Sequence, residues 1–158
     1  MNATGAGIPG DEENEVTPTP VRKVNADEVA PNRRRGGDVR ILLSPRTVQS
    51  TSGFGGLLTL EPGEYVCEHL HPYSEEFVYV VRGHLQIRIG EQLIELRERD
   101  AVMVPIGEPH RMVNLGQEQA QVVFHLAPLA PKPELGHVDL EFLPEHSEEP
   151  APTVGGPQ

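Results

Sequence analysis

Cysteine is almost missing from this chain of 158 residues: Cys67 is the only one. A single thiol excludes an intramolecular disulfide framework and fits a reducing, cytoplasmic setting. No apolar run approaches the roughly 20 residues that a membrane-spanning helix needs, so no helical anchor is expected. The opening MNATGAGIPGDEENE has neither a basic start nor an apolar stretch, and it does not read as a secretory signal. Basic residues are missing from both ends. Residues 1–20 carry Asp11, Glu12, Glu13 and Glu15, and residues 139–158 carry Asp139, Glu141, Glu145, Glu148 and Glu149, with no Lys or Arg in either. The ends therefore hold −9 of the net charge of −11, and residues 21–138 are nearly neutral, with 15 acids against 13 bases. Without a concentrated basic surface, nucleic acid is excluded as a general partner.

Helical periodicity is also missing between residues 38 and 126. What stands there instead is a series of strand-length apolar and β-branched runs: 38–44, 53–60, 64–71, 76–82, 84–89, 92–97, 101–104, 110–115 and 120–126. Turn residues such as Gly63, Pro72, Gly83, Gly90, Gly107 and Gly116 separate them. Many short strands at this spacing predict an all-β sandwich or barrel. A short helix is expected within 21–31, ended by Pro31. The Gly-, Pro- and acid-rich ends cannot bury enough apolar surface to offset chain entropy. The expected organisation is a disordered tail at 1–20, one domain at 21–143 and a second disordered tail at 144–158.

Within this pattern, His69 and His71 are two apart on one strand and share a face. If Pro72–Glu75 is a four-residue hairpin loop, Glu76 lies opposite His71 on that face. If residues 116–119 close a second hairpin, His110 pairs with His125, and directly opposed residues share a face about 5 Å apart. An odd-length loop or a bulge would turn His125 away. Clustered histidine with carboxylate is a metal-site pattern. The reading adopted is a divalent metal held by His69, His71, His110 and His125. Glu76 then stands beside it as an acid/base group, with the alternative that Glu76 itself ligates. Phe54, Val78, Val80, Met103, Met112 and Val123 are expected to point inward and to make the surroundings of the ion apolar. His84 and His146 are expected to be exposed, as is His137, with lining of the cavity mouth as its alternative, and Cys67 is expected to be a small buried apolar residue.

Two motifs carry a family resemblance. Gly63-x5-His69-x-His71-x4-Glu76-x6-Gly83 resembles the first cupin motif in full, and Pro105-x-Gly107-x2-His110-x3-Asn114 resembles the second. Arg99 stands where the second motif usually begins with glycine. The cupin resemblance implies a double-stranded β-helix, or jelly-roll, barrel and the ligand set His69, His71, Glu76 and His110. Shorter strings narrow it: Pro31–Asp38, Leu43-Ser44-Pro45, His71–Phe77, Phe124–Pro131 and Leu135–Asp139 resemble the small single-domain cupins of aromatic polyketide pathways in actinomycetes, the resistomycin and tetracenomycin cyclase type. The match covers about 31–141.

That resemblance implies a metal-dependent polyketide cyclase or aromatase that directs aldol-type ring closure of a poly-β-ketone. Zinc is the expected ion, with nickel and iron as alternatives. A metal-dependent dioxygenase acting on an aromatic substrate is a rival that would consume oxygen, and a non-enzymatic module binding a pathway intermediate is another. Expected partners are a small polyketide substrate, presented in one version by an acyl carrier protein, and a second copy of the chain, with segment 38–45 adding to the partner's sheet. Arg33, Arg34 and Arg35 form the only basic run. A solvated strand end is the simpler reading, and a docking patch for an acidic carrier protein is the rival.

Overall fold

The computed structural model describes residue 18, residues 20–152 and residue 154. The disorder expected of residues 1–17, 19, 153 and 155–158 lies outside the described residues. Among the described residues there are ten strands: β1 (Asp38–Leu43), β2 (Phe54–Leu60), β3 (Tyr65–Leu70), β4 (Glu75–Arg82), β5 (His84–Ile89), β6 (Gln92–Arg97), β7 (Ala101–Val104), β8 (His110–Asn114), β9 (Ala120–Ala127) and β10 (Val138–Asp139). The first nine fall within one residue of the runs read from the sequence. The helix expected near residues 21–31 is a single 3-10 turn, Ala26–Glu28, capped by the Asn25 side chain.

Among the elements that were not expected is a helix between β1 and β2. Pro45–Val48 forms a one-turn helix, α1. The Ser44 hydroxyl accepts from the Thr47 amide, and the Thr47 hydroxyl accepts from the Ser44 amide, which closes a reciprocal cap. Threonine replaces the usual Glu or Gln of that motif, so the sequence pattern did not announce it.

The strands form two five-stranded antiparallel sheets, β1-β2-β9-β4-β7 and β10-β3-β8-β5-β6. Their apolar faces supply one core, with Leu60, Val80, Leu85 and Ile87 fully buried. Only some sequential neighbours pair. β3 and β4 lie in different sheets, as do β8 and β9. Residues 71–74 and 115–119 are therefore corners between sheets and not hairpin loops. Asn114 pins the second corner: it is buried, its Nδ2 donates to Leu60 O (2.9 Å) and Glu118 O (2.8 Å), and its Oδ1 accepts from the Gly116 amide (2.8 Å).

The corner at 115–119 changes which residues of β9 face inward. Ala120, Val122, Phe124 and Leu126 are buried, so Val123 and His125 face out. Met103 is likewise exposed, because its neighbour Val104 takes the inward position on β7. Phe54, Val78, Val80 and Met112 are buried or half-buried, as read. Strand β1 pairs with β2 of its own chain (Val39 with Leu58, Arg40 with Leu57) and forms one edge of that sheet.

Part of the segment expected to be a free C-terminal tail is described, and it is docked. Pro144–His146 forms a 3-10 turn. The Arg34 guanidinium donates to Ser147 O and Glu149 O, the Arg33 amide to Glu149 Oε2, and Asn32 Nδ2 to Pro150 O. The basic run is thus neither a solvated end nor an open docking patch. Arg33 faces Asp38, and Arg34 and Arg35 both reach Asp139.

Candidate metal centre

His69 is the next-to-last residue of β3, His71 lies just past its end at the corner, and His110 opens β8. His69 and His110 belong to one sheet and are direct partners across the β3–β8 ladder, and His71 adjoins it at the end of β3. Glu76 comes from β4 in the opposite sheet, in register with Val104 and Leu126. The site therefore bridges the two layers. The four donor atoms lie within 4.8 Å of one another, and ring centroids of the histidines are 4.3–5.3 Å apart. His69, His71 and His110 are 7%, 8% and 4% exposed, so water does not easily compete for these positions.

The tautomer of each ring follows from its second nitrogen. His69 Nδ1 lies 2.8 Å from Cys67 O, His71 Nδ1 3.1 Å from Gly136 O, and His110 Nδ1 3.0 Å from Glu108 O. A carbonyl only accepts, so each Nδ1 carries the proton and each Nε2 presents a lone pair. Backbone carbonyls holding the outer nitrogens are the usual way to orient imidazole ligands. The His110 Nε2 lies 2.9 Å from Glu76 Oε2 and the His71 Nε2 3.5 Å from the same oxygen, yet His110 Nε2 is buried without a satisfied hydrogen bond. A lone pair facing a carboxylate this closely calls for a cation, either a proton or a metal. The donor set of three imidazoles and one carboxylate suits a divalent transition ion.

The electrostatics point the same way. Burial opposes charge on His110, but the Glu76 carboxylate outweighs it and raises its pKa above the ordinary value. Burial pushes the Glu76 carboxyl up, and its contacts with His110 and His71 hold it well below the usual carboxylate range. His69 is pushed down to about 3, chiefly by burial and then by its two histidine neighbours. At neutral pH the cluster thus offers neutral His69 and an ionised Glu76, the protonation states that metal binding requires.

His125 does not join this cluster. It sits on the exposed face of β9, opposite Phe77 and Gly55, with its ring beside Gly53. The four-histidine arrangement rested on a β8–β9 hairpin that does not exist, and Glu76 occupies the fourth donor position. Glu76 reaches His71 although the β3–β4 hairpin assumed for it is also absent, because the two sheets close onto each other at that corner. Glu75, expected in a loop, opens β4.

A cavity of about 100 Å³ opens on the cluster and is walled mainly by apolar residues, among them Val39, Ile41, Phe54, Leu58, Phe124 and Leu126. A neighbouring cavity of about 280 Å³ shares Phe54, Pro133, Gly136 and Val154 with it. His137 and Arg35 also line the first cavity. His137 was expected at the surface, but the chain after Pro133 folds back so that β10 pairs with β3 and carries it inward. Burial, then Arg35, pushes its pKa down to about 4. Arg35 was missed as a site residue because a run of three arginines reads as surface. Among the described residues, no helix is long and apolar enough to cross a membrane.

Comparison with known proteins places these features. Residues 56–126 match the family model described as a cupin domain. The chain is 56% identical over 120 residues to polyketide synthase CurC of Streptomyces cyaneus, covering 76% of this chain and 78% of that one. It is 44% identical over 144 residues to tetracenomycin polyketide synthase protein TcmJ of Streptomyces glaucescens, covering 91% and 96%. Among solved structures, a double-stranded β-helix protein from Klebsiella pneumoniae superposes with a TM-score of 0.61 at 20% identity, over 77% of this chain and 99% of that one.

Proposed function

The chain belongs to the cupin family, and on that premise we propose that it is a metal-dependent cyclase acting on a poly-β-ketone in aromatic polyketide biosynthesis. The observation that carries this is a buried His69–His71–Glu76–His110 cluster at the head of an apolar cavity. The names of CurC and TcmJ support the pathway. His69, His71, His110 and Glu76 would hold a divalent ion, zinc in our reading, with nickel and iron sharing the same donor chemistry. When bound, the ion supplies a Lewis acid for an oxygen of a 1,3-diketone.

The chain's own residues do the rest. The apolar walls fold the polyketide and exclude water. A Glu76 oxygen takes a proton from a CH2 between two carbonyls. The electron pair of that C–H bond becomes the new C–C bond to a second carbonyl carbon, whose oxygen receives a proton. Loss of that hydroxyl with a neighbouring proton, as water, aromatises the ring. The chain acts in the cytoplasm as a homodimer, on a substrate that is free or tethered to an acyl carrier protein.

The test is to measure the metal content of the purified protein and supply a carrier-bound poly-β-ketone to the wild type and to His69→Ala and His110→Ala. Loss of the cyclised product with loss of metal is expected, without oxygen uptake. Unchanged product from metal-free variants would end the proposal, and oxygen consumption would favour the dioxygenase.

A further inference from the structure

Arg35 is held where few guanidiniums are left half-used. Its side chain is 12% exposed and lines the same cavity as His69, His71 and Glu76. Its Nε donates to Asp139 Oδ1 at 2.5 Å, while its Nη2 is buried with no hydrogen-bond partner among the described residues. The backbone fixes this placement. Arg35 O accepts from the Cys67 amide at 2.7 Å, two residues before His69. The next residue, Gly36, has φ +100°, and a Cβ there would sit 2.0 Å from Tyr65 O, so only glycine lets the chain lie this close to β3.

Charge is left over as well as a donor. Asp139 is shared by Arg34 and Arg35, one carboxylate against two guanidiniums. His137, which with Asn32 also lines this cavity, has its pKa pushed down to about 4 by burial and by Arg35. An unsatisfied buried donor on a charged group is costly, and a ligand oxygen relieves that cost.

We infer that Arg35 is a second oxygen-binding group of the cavity, taking a carboxylate or enolate oxygen of an aromatic or polyketide ligand whose other oxygens face the histidine cluster. This deepens the cyclase reading and rests on it for the identity of the natural ligand. A guanidinium in the same cavity as the cluster fixes the ligand at two points, which sets the fold of a flexible chain before ring closure.

The test uses full-length protein, as purified and after dialysis against EDTA, and titrates 2-naphthoate and its neutral isostere 2-naphthamide by calorimetry. EDTA treatment separates the guanidinium from direct coordination of the carboxylate to an ion. The wild type should prefer naphthoate by about tenfold or more in both states, the scale of a charge-assisted hydrogen bond. Arg35→Gln should abolish the preference and leave the naphthamide Kd within about twofold. Equal weakening of both probes, or no change in either, overturns the assignment. Should Arg35→Gln not fold, Arg35→Lys reads the same property: naphthoate should weaken about threefold or more as the fork is lost, with naphthamide steady, and unchanged naphthoate affinity overturns it. The two readings fail separately. An Arg35-dependent preference in a protein that closes no ring removes the cyclase and keeps the subsite; ring closure with no such preference does the reverse.

Discussion

Replacing His110 with alanine removes one of four donors that lie within 4.8 Å of each other, whereas replacing His125 removes an exposed ring on the outer face of β9. The two substitutions should separate completely in their effect on metal-linked stability. Loss of one imidazole from the set should weaken metal affinity by about 100-fold or more, since even the partners that orient such ligands are worth 10–100-fold. At free metal about 1,000 times the wild-type Kd, the bound ion stabilises the fold by about 4.1 kcal/mol. A Kd weakened about 100-fold leaves only about 1.4 kcal/mol at the same metal concentration. The missing ~2.7 kcal/mol corresponds to a Tm increment smaller by about 10 °C for a domain of this size. The assay is thermal unfolding with and without added zinc, followed by metal analysis of the desalted protein. Taking the difference between the two melts cancels any change in the metal-free stability, including relief of the buried His110 Nε2. His110→Ala should lose most of the zinc increment, and His125→Ala should keep it within about 1–2 °C. A His125→Ala variant that loses the increment as His110→Ala does would refute the cluster described above and restore the four-histidine site.

Other consequences are as direct. Glu76→Gln keeps the shape of the side chain and removes its charge, so zinc should bind more weakly and ring closure should fall by about 10²-fold or more at saturating zinc; full activity with zinc bound would remove Glu76 as the proton acceptor. Arg99 holds φ +74°, the left-handed region that favours glycine, so Arg99→Gly should stabilise by about 1 kcal/mol in denaturant unfolding, and a destabilised variant would mean that the arginine side chain outweighs its backbone strain. In the metal-free protein, His69 is held at about 3 and His137 at about 4, both below the 6.5 of a free imidazole. The unfolded chain then binds these protons first, and stability falls progressively as pH drops from about 6.5 through the folded values. His110, raised by Glu76, adds stability below 6.5 and partly offsets the loss. His137→Asn should flatten the fall of Tm between pH 6.5 and 4, and a slope unchanged by that substitution would contradict the burial argument.

Much of this molecule is written locally in its sequence. Strand positions follow from β-branched runs between turn residues, and nine of them were legible to within a residue. The i, i+2 spacing of His69 and His71 puts both rings on one face of any strand, whatever the strand pairs with. Arg99 was visible as a departure from a glycine position, and the structure supplies the reason in its positive φ. The ligand set implied by the cupin motifs also matches the cluster that forms.

What only the tertiary structure decided is how the strands are shared between two sheets. A corner and a hairpin loop of similar length look alike in sequence, yet a corner sends the next strand to the opposite layer. That choice turned His125 and Val123 outward and brought Glu76 across the interlayer gap to His71 and His110. It also returned the chain after Pro133 onto β3, carrying His137 and Asp139 to Arg35. Alternation within a strand is a local property of the backbone, but which face becomes the inside is set by the layer the strand packs on, and that depends on partners more than 50 residues away, as in the Leu60–Ala120 pairing.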